Sequence, residues 1–363
     1  MSLSCGIVGL PNVGKSTLFN ALTAAGAQAG NFPFCTIDPN VAVAPVPDPH
    51  LELIRQHIES KEVIPASVKV VDIAGLIAGA STGEGLGNKF LANIRETDAI
   101  MQVVRCFEGE HVVREDPVDP IADIEVIELE LALADMETLT KGIDRASKKA
   151  RSGDKDSQFE KATFERVSAV LESGGSLRSA EFSAQERAAL KPLCLLSMKR
   201  VLYVANVSVD DLDGSSELAQ RVAKRAEETG SEWLPICADV ESELREMEPA
   251  DCAEFMADLG VAESGLSRLV NAVYKLLGLQ TYYTAGPKEI RAWTIHAGDL
   301  APVAAGVIHT DFEKAFIRAE VYSVADLVEH GSETAIRAAG RLRTEGRDYA
   351  MLPNDVCHFL IGK

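Results

Sequence analysis

A glycine-rich loop follows the first apolar run of the chain. Residues 9–17 read Gly-Leu-Pro-Asn-Val-Gly-Lys-Ser-Thr, directly after the strand-like residues 5–8. Glycines where the backbone must curl tightly leave successive N–H groups pointing inward, where they can hold an anion. The helix predicted from residue 16 onward adds the positive end of its dipole at the same place. A loop of this pattern between a strand and a helix predicts a phosphate-binding site, and therefore a chain that binds a nucleoside triphosphate.

The residue types in this loop predict individual roles. Lys15 can reach the β- and γ-phosphates, and Ser16 can offer its hydroxyl to Mg²⁺. A side-chain oxygen at Asn12 can help to coordinate K⁺ beside the same phosphates; the alternative is that Asn12 only stabilises the turn. We expect the loop to contact the nucleotide through six consecutive residues, Asn12, Val13, Gly14, Lys15, Ser16 and Thr17.

Strand-like runs and helical stretches alternate in the first part of the chain, which is typical of a parallel sheet with crossover helices. Long helical periodicity takes over from about residue 120, and the α/β pattern resumes at residues 201–206. From about residue 280, short strand-like and helical runs predict a separate α+β domain. The predicted fold is α/β, and its predicted domains are a split nucleotide-binding domain (1–120 and 201–279), an inserted antiparallel helical hairpin (121–200) and a C-terminal domain (280–363).

An apolar stripe and a polar break carry the hairpin prediction. Ile124, Ile127, Leu131 and Ala134 share one helix face, which we expect to form the hairpin seam and to pack on the core. The polar residues 151–154 interrupt the pattern before a second helical run. Basic residues gather near this break and form either an ordinary solvated face or a local RNA-facing patch. They are Arg145, Lys148, Lys149, Arg151 and Lys155.

Two further motifs predict a switch-type NTP hydrolase. Asp72 ends a predicted strand in the sequence Asp-Ile-Ala-Gly, where its carboxylate can hold a Mg²⁺-bound water while the N–H of Gly75 meets the γ-phosphate. Thr36 lies between the two motifs, where its hydroxyl can complete the Mg²⁺ shell only while the γ-phosphate is present. We therefore predict Ser16, Thr36 and Asp72 as metal ligands, and Lys15, Thr36 and Gly75 as the catalytic set. Leu76 stands where a Ras-like enzyme carries the glutamine that orients water, so slow hydrolysis is expected.

Base recognition is expected to rest on the end of the strand at 201–206. Guanine-specific switch proteins place Asn-Lys-x-Asp here, whereas this chain has Asn206-Val207-Ser208-Val209. An apolar fourth residue would leave two guanine donors unpaired, at a cost of roughly 1–3 kcal/mol per buried group. The amide of Asn206 can pair with adenine N6 and N7, and Asn206 and Val207 are the predicted base contacts. Asp210, one residue further on, keeps a preference for GTP open.

The charge and composition of the chain limit the kinds of partner and the cellular location that we expect. The net charge is −19 with a pI near 4.8, which argues against a broad basic surface for nucleic acid, and nothing indicates DNA recognition. No apolar run approaches the roughly 20 residues of a membrane span, and no secretory signal opens the chain. Seven cysteines without metal-ligand spacing suit reduced thiols. We expect a cytoplasmic monomer.

These motifs resemble the YchF or Obg-like ATPase family of translation-factor-related P-loop proteins. The resemblance runs nearly end to end through residues 6–17, 31–36, 72–76, 104–107 and 286–295. Residues 306–320 resemble the family's TGS domain, a ubiquitin-like β-grasp module. The resemblance implies an OBG-type nucleotide-binding domain and a Mg²⁺-dependent ATPase that binds GTP less well. It also implies stimulation by K⁺ and association with ribosomes and the large ribosomal subunit.

This chain departs from the family pattern at two places. Val209 replaces the usual glutamate at the end of the base motif. Some members carry a histidine, suspected of assisting hydrolysis, just after the Arg-Cys-Phe segment; Arg114 stands there in this chain, with His111 three residues earlier. We expect a slow, switch-like ATPase that acts on the ribosome. The alternatives are a GTPase of the same fold and a scaffold that uses the nucleotide for shape with negligible turnover.

Overall fold

The computed structural model describes residues 3–28, 40–73, 86–108, 117–151 and 153–362. These residues divide into two compact units. The first unit contains residues 3–24, 40–42, 69–73, 86–108, 117–151 and 153–269, and the second contains residues 25–28, 43–68 and 270–362. None of the described helices is long and apolar enough to cross a membrane.

Strands and helices alternate through most of the described chain. The strands are β1 (Ser4–Val8), β2 (Val41–Pro45), β3 (Glu62–Ile64), β4 (Ser67–Asp72), β5 (Ala99–Arg105), β6 (Arg200–Asn206), β7 (Glu232–Ile236), β8 (Leu279–Ala285), β9 (Glu289–His296), β10 (Phe316–Ser323), β11 (Arg343–Glu345) and β12 (Asp355–Ile361). The helices are α1 (Lys15–Gln28), α2 (Pro49–His57), α3 (Leu86–Glu96), α4 (Pro120–Ala150), α5 (Lys155–Glu172), α6 (Ala184–Leu190), α7 (Glu217–Thr229), α8 (Ala238–Glu246), α9 (Pro249–Asp258), α10 (Gly265–Leu276), α11 (Ala301–Ile308), α12 (Thr310–Ala315), α13 (Val324–His330) and α14 (Glu333–Ala338).

The first sheet has six strands in the order β2-β4-β1-β5-β6-β7. β1 pairs in parallel with β4 and β5, and β6 pairs in parallel with β5 and β7. All residues of β1 and β5 are buried, as expected for central strands covered on both faces. The predicted parallel α/β sheet is confirmed. Because parallel strands end at one edge, the loops after β1, β4, β5, β6 and β7 all leave the sheet on that side.

The predicted hairpin is formed by α4 and α5, two helices with aspartate caps. Asp119 accepts from the N–H groups of Ile121 and Ala122, and Asp154 accepts from that of Ser157, which satisfies free donors at each helix start. The predicted polar break is confirmed, and within it Gly153 has a left-handed φ of 86°.

Buried apolar side chains hold the hairpin together. The predicted stripe of Ile124, Ile127, Leu131 and Ala134 is buried, but it is not part of the cluster that joins the two helices, so its role as the hairpin seam stays a prediction. Further along α4, a separate cluster joins the two helices to the segment that follows them: Leu139, Phe164, Val167, Leu177, Phe182, Leu190 and Leu195. The five basic residues near the break are exposed.

The second unit is built on a mixed sheet in the order β11-β10-β12-β8-β9-β3. Its central pair, β8 and β12, is parallel, and β9 and β10 flank that pair in antiparallel orientation. Helix α11 lies against this sheet in the β-grasp arrangement, and its alanines pack on Tyr282, Ile295 and Phe316. The predicted α+β C-terminal domain is confirmed.

Residues 43–68 belong to this second unit, although the sequence analysis placed them within a nucleotide-binding domain of residues 1–120. β3 adds to the edge of the mixed sheet by pairing Glu62 with Glu289 and Ile64 with Arg291. α2 packs against α13 and β9. The hairpin, predicted as a domain of its own, falls within the first unit. The predicted domain boundaries at 120, 200 and 279 stay a prediction.

A partly buried ion-pair triad joins α4 to α7. The carboxylate of Glu128 pairs with the guanidinium groups of Arg178 and Arg225, and the hydroxyl of Tyr203 donates to it at 2.8 Å. Burial alone would raise the pKa of Glu128, but the two arginines and the tyrosine together hold its pKa below the usual value. The ionised form of Glu128 therefore stabilises the fold.

We predict that Glu128→Gln lowers the free energy of unfolding by about 3 kcal/mol at neutral pH, because it leaves the guanidinium of Arg178 buried without its counter-charge. The contribution of Glu128 is complete above the usual glutamate pKa of 4.5 and is lost as the pH falls through its lowered value. Denaturant unfolding of both proteins from pH 8 to pH 3 should show the difference shrinking only in acid. Glu137→Gln removes an exposed carboxylate from the same helix and serves as the control. A pH-independent difference would contradict the assignment.

Candidate nucleotide-binding site

The phosphate loop connects β1 to α1, as predicted. The helix begins at Lys15, one residue earlier than expected, and the N–H of Leu18 donates to the carbonyl of Gly14 at 3.1 Å. Two loop residues adopt left-handed backbone conformations, Asn12 with φ 63° and Gly14 with φ 89°. Asparagine is among the few non-glycine residues that tolerate this region, so the turn by itself accounts for Asn12. Its role toward K⁺ stays a prediction.

Close approach of neighbouring groups explains the glycines. A Cβ at Gly9 would lie 2.8 Å from Cγ2 of Val13 and 3.0 Å from the carbonyl oxygen of Val103. A Cβ at Gly14 would lie 2.2 Å from Nδ2 of Asn206. Both positions therefore exclude a side chain, which keeps the loop backbone tight against the end of the sheet.

Asn206, the last residue of β6, connects three loops at this edge. Its Nδ2 donates to the carbonyl of Val13 at 2.9 Å, and its Oδ1 accepts from the N–H of Ala238 at 3.0 Å. Its own carbonyl accepts from the N–H of Cys106 at 2.8 Å. The side chain is buried, and these contacts use one of its two amide donors. The remaining hydrogen-bonding capacity is what the predicted contact with adenine requires, and that contact stays a prediction.

Lys15 and Asp72 lie side by side. The ammonium group of Lys15 forms an ion pair with the carboxylate of Asp72, which ends β4 beside β1. The N–H of Asp72 donates to the carbonyl of Asn40 at 2.7 Å, which fixes the backbone at the strand end. The structure thus brings the predicted phosphate-binding lysine and the predicted metal-binding aspartate together. Ser16 follows Lys15 on the first turn of α1 and is exposed.

The donor set at this edge suits Mg²⁺. A serine hydroxyl and a carboxylate are hard oxygen ligands, and Mg²⁺ keeps several waters and takes substrate phosphates as ligands. Within the described residues there is no group of three or more His, Cys, Asp or Glu side chains that could hold a metal by themselves. Ser16 and Asp72 are therefore the described residues that could hold Mg²⁺ together with a nucleotide.

Several predicted residues lie outside the described residues. They are Thr36, Gly75, Leu76, His111 and Arg114. Their predicted roles in metal binding, catalysis and water positioning stay predictions.

The predicted base-recognition segment continues from Asn206 into a short 3₁₀ helix, Val209–Asp211. Val207 is buried, and its N–H donates to the carbonyl of Ile236 at 2.9 Å, so β6 and β7 are tied together beside the site. Val209 and Asp210 are exposed. Either side chain can therefore be exchanged without disturbing the core.

Sequence reasoning did not single out Arg105 as a site residue. It ends β5 opposite Asn206 and is buried. Its Nε donates to the carbonyl of Phe107 at 3.1 Å, while its Nη1 has no hydrogen-bond partner among the described residues. A charged residue at the end of a strand that is apolar except for Gln102 is a sequence signal, but it does not show which groups Arg105 meets at the sheet edge. The N–H of Ala238, the first residue of α8, donates to Oδ1 of Asn206, and this contact anchors the start of α8 beside the site.

The cysteines near this edge are not nucleophiles. Burial, followed by the charges of Asp211 and Asp123, raises the pKa of Cys106 to about 12. Burial also raises the pKa of Cys237. Both thiols are therefore protonated at neutral pH, and both side chains are buried.

We predict that Gly14→Ala lowers affinity for nucleoside triphosphates by at least about tenfold, because the new methyl group must displace either the loop or Asn206. Gly153→Ala is a matched control, since Gly153 has a similar φ of 86° but no atom within 4 Å of the added Cβ. Both variants should lose about 1 kcal/mol of stability from backbone strain. Equal nucleotide affinities in titrations of the two variants would contradict the steric argument.

We predict that Asn206→Ala lowers stability by about 1–3 kcal/mol, because the Val13 carbonyl and the Ala238 N–H lose their partner in a buried position. Thermal unfolding without nucleotide measures this effect. Asp210→Ala removes an exposed side chain four residues away and should leave the stability unchanged. A loss in Asn206→Ala no larger than that of the control would contradict the bridging role.

Family models and known proteins match this chain over nearly its whole length. The family model described as "50S ribosome-binding GTPase" matches residues 4–146, and the model YchF-GTPase_C matches residues 279–362. A Haemophilus ducreyi protein named "Ribosome-binding ATPase YchF" is 51% identical over 360 residues, which cover 99% of both chains. A Bacillus subtilis protein of the same name is 48% identical over 362 residues, with the same coverage.

A solved structure extends the comparison to the fold. The YchF GTPase of Schizosaccharomyces pombe is 38% identical and superposes with a TM-score of 0.90, covering 99% of this chain and 98% of that one. Similarity of sequence and of fold therefore extends over the whole chain, including the phosphate loop and the C-terminal domain. The chain belongs to the YchF family of P-loop NTP hydrolases.

Proposed function

We propose that this protein is a Mg²⁺-dependent ATPase that acts as a slow nucleotide switch on the ribosome and its large subunit. The observation that carries the proposal is the arrangement of the phosphate loop. Asn206 donates to the carbonyl of Val13 within this loop, and Lys15 at its end lies beside Asp72. The names of the relatives, "Ribosome-binding ATPase", support both the reaction and the partner.

The loop residues bind and orient the triphosphate in this proposal. Lys15 neutralises the β- and γ-phosphates, and the backbone from Asn12 to Thr17 surrounds them. Ser16, Thr36 and Asp72 would hold Mg²⁺, which would supply charge neutralisation. The N–H of Gly75 would contact the γ-phosphate in this proposal, so that Thr36 and Gly75 would respond to its presence. Leu76 cannot orient water, which makes turnover slow unless another group or a K⁺ ion held by Asn12 assists.

ATP is the favoured nucleotide. Val209 occupies the position where guanine recognition needs a carboxylate, and it is apolar and 46% exposed. GTP would therefore leave its N1–H and 2-amino groups without an acceptor. GTPase activity is the second candidate, which the "GTPase" names of the first family model and the S. pombe structure favour. In that case the exposed Asp210 is the side chain placed to supply the acceptor.

A protein that binds the ribosome needs a surface that can contact RNA. The exposed basic residues at the hairpin tip form the local exception in a chain of net charge −19, and they fit a phosphate backbone. The C-terminal β-grasp domain is the second surface that we assign to the ribosome. A monomer in the cytoplasm agrees with this partner, and DNA and membranes have no part in the proposal.

One experiment distinguishes a nucleotide switch from a scaffold that does not depend on the nucleotide. Lys15→Ala removes the charge that holds the phosphates, so the variant should bind ATP at least about a hundredfold more weakly. Co-sedimentation with ribosomes, with ATP and with ADP, should show a nucleotide-dependent bound fraction for the natural protein and a constant one for Lys15→Ala. Identical co-sedimentation of both proteins under all conditions would support the scaffold.

We predict that Val209→Asp raises the affinity for GTP relative to ATP by about tenfold, because it supplies the acceptor that guanine lacks. The side chain is exposed, so the fold should tolerate the change. Asp210→Asn is the matched comparison: it should leave the natural preference unchanged. If Asp210→Asn weakens GTP binding selectively, Asp210 supplies the acceptor for guanine. That result would favour GTPase activity over ATPase activity.

A further inference from the structure

A groove on the first unit is separate from the predicted nucleotide site. Its volume is about 520 Å³, within the range of about 300–1,000 Å³ typical of ligand pockets. It lies between α4, the turn after α5, and α7, and none of its lining residues is a predicted nucleotide or metal ligand. Four apolar residues contribute to its wall: Leu129, Ala132, Leu171 and Leu177.

Two leucines extend the apolar wall along α4. Leu129 is 59% exposed and Leu133, one helical turn further on, is 41% exposed. Residues four apart lie on the same helix face, so their side chains form one stripe. Leu133 is not among the groove-lining residues, so the stripe continues beyond the groove. Single exposed leucines are ordinary, but two on one stripe beside a groove form a contiguous apolar patch that suits a partner larger than a small molecule.

The most exposed charges among the groove-lining residues are negative. The guanidinium groups of Arg178 and Arg225 are engaged by Glu128 in the floor. On the rim, Glu125 is 58% exposed and Glu228 is 52% exposed, and each makes a long contact with Arg225, at 3.9 Å and 4.0 Å. Glu228 also makes a long contact of 3.9 Å with Lys224, and exposed pairs of this kind neutralise little. The lining as a whole holds three glutamates and two arginines.

We propose that this groove docks a basic amphipathic helix of a partner protein. Apolar side chains of the helix cover Leu129 and Leu133 and enter the groove beside Ala132 and Leu171. Lysines or arginines flanking its apolar face meet Glu125 and Glu228. This is helix-in-groove recognition, in which apolar anchors supply affinity and rim charges select the partner.

The same features disfavour other occupants. An acidic rim repels RNA and anionic lipid surfaces. A symmetric dimer through this face would oppose the rim glutamates of one copy to those of the other. A basic amphipathic protein segment satisfies both the apolar stripe and the charge.

Three synthetic peptides of about 18 residues test the proposal against the full-length protein. The first carries leucines at helical spacing with lysines beside them. The second replaces the lysines with glutamates, and the third scrambles the leucines of the first at constant composition. Fluorescence anisotropy at physiological salt should show the leucine–lysine peptide binding at least about tenfold more tightly than either of the others.

Two variants locate the binding. The double change Leu129→Ser and Leu133→Ser should weaken the leucine–lysine peptide about tenfold, and because both side chains are exposed the fold should be preserved. The double change Glu125→Lys and Glu228→Lys should weaken that peptide and strengthen the glutamate peptide. Ile317→Ser, which alters a side chain of the second unit that is also 59% exposed, is the matched control and should change neither.

Other outcomes overturn the proposal. Equal binding of the scrambled peptide means that overall charge attracts it, and tighter binding of the glutamate peptide means an acidic partner. Unchanged affinity in the leucine double variant places binding elsewhere. Self-association in sedimentation equilibrium that the leucine variant abolishes identifies a second copy as the occupant. These measurements need no nucleotide and no ribosome, so their result is independent of the proposed ATPase function.

Discussion

The side-chain amide of Asn206 is the contact on which the site depends. It joins the carbonyl of Val13, in the loop after β1, to the N–H of Ala238, at the start of α8 after β7. Its neighbour across β5 and β6 is Arg105, another buried polar residue at the same edge. A single amide can do this because it offers a donor and an acceptor on one rigid plane. The contact requires Gly14 to lack a Cβ, so the loop glycine and the asparagine depend on each other.

Polar side chains with buried hydrogen bonds or ion pairs also occur away from this edge of the sheet. Glu128 is held between two arginines and a tyrosine, and Asp135 accepts from the N–H groups of Leu196 and Ser197. Burial raises the pKa of Asp135, whereas the arginines lower that of Glu128. Such contacts tie α4 to segments far away in the sequence. The long helix is therefore anchored along its first half, while its far end carries the exposed basic cluster.

Local patterns made the phosphate loop, the hairpin and the parallel strands predictable. Each rests on a short signal: glycine spacing, a 3.6-residue apolar period or an apolar run after a turn. The adjacency of Lys15 and Asp72 also followed, because parallel strands end at one edge. The hydrogen bonds of the Asn206 side chain did not follow, since the same amide could equally have faced a base.

Features that depend on pairing between distant segments could not be predicted from the sequence. β3 is three residues long and gains its place only by pairing with β9, far along the chain. Nothing in residues 43–68 alone indicates that they belong with a C-terminal sheet, because edge-strand pairing depends on a partner rather than on propensity. Arg105 was likewise missed, because its neighbours at the strand ends become visible only after the sheet forms.

The affinities of the full-length protein for ATP and GTP test the account most directly. Titrations with Mg²⁺, in K⁺ and then in Na⁺ buffer, would be followed by turnover of the tighter ligand. We predict that ATP binds about tenfold or more tightly than GTP, because Val209 offers guanine no acceptor, and that ATP is slowly hydrolysed. Tighter binding of GTP, or binding of ATP without any turnover, would contradict the claim that this site belongs to an ATP-driven switch.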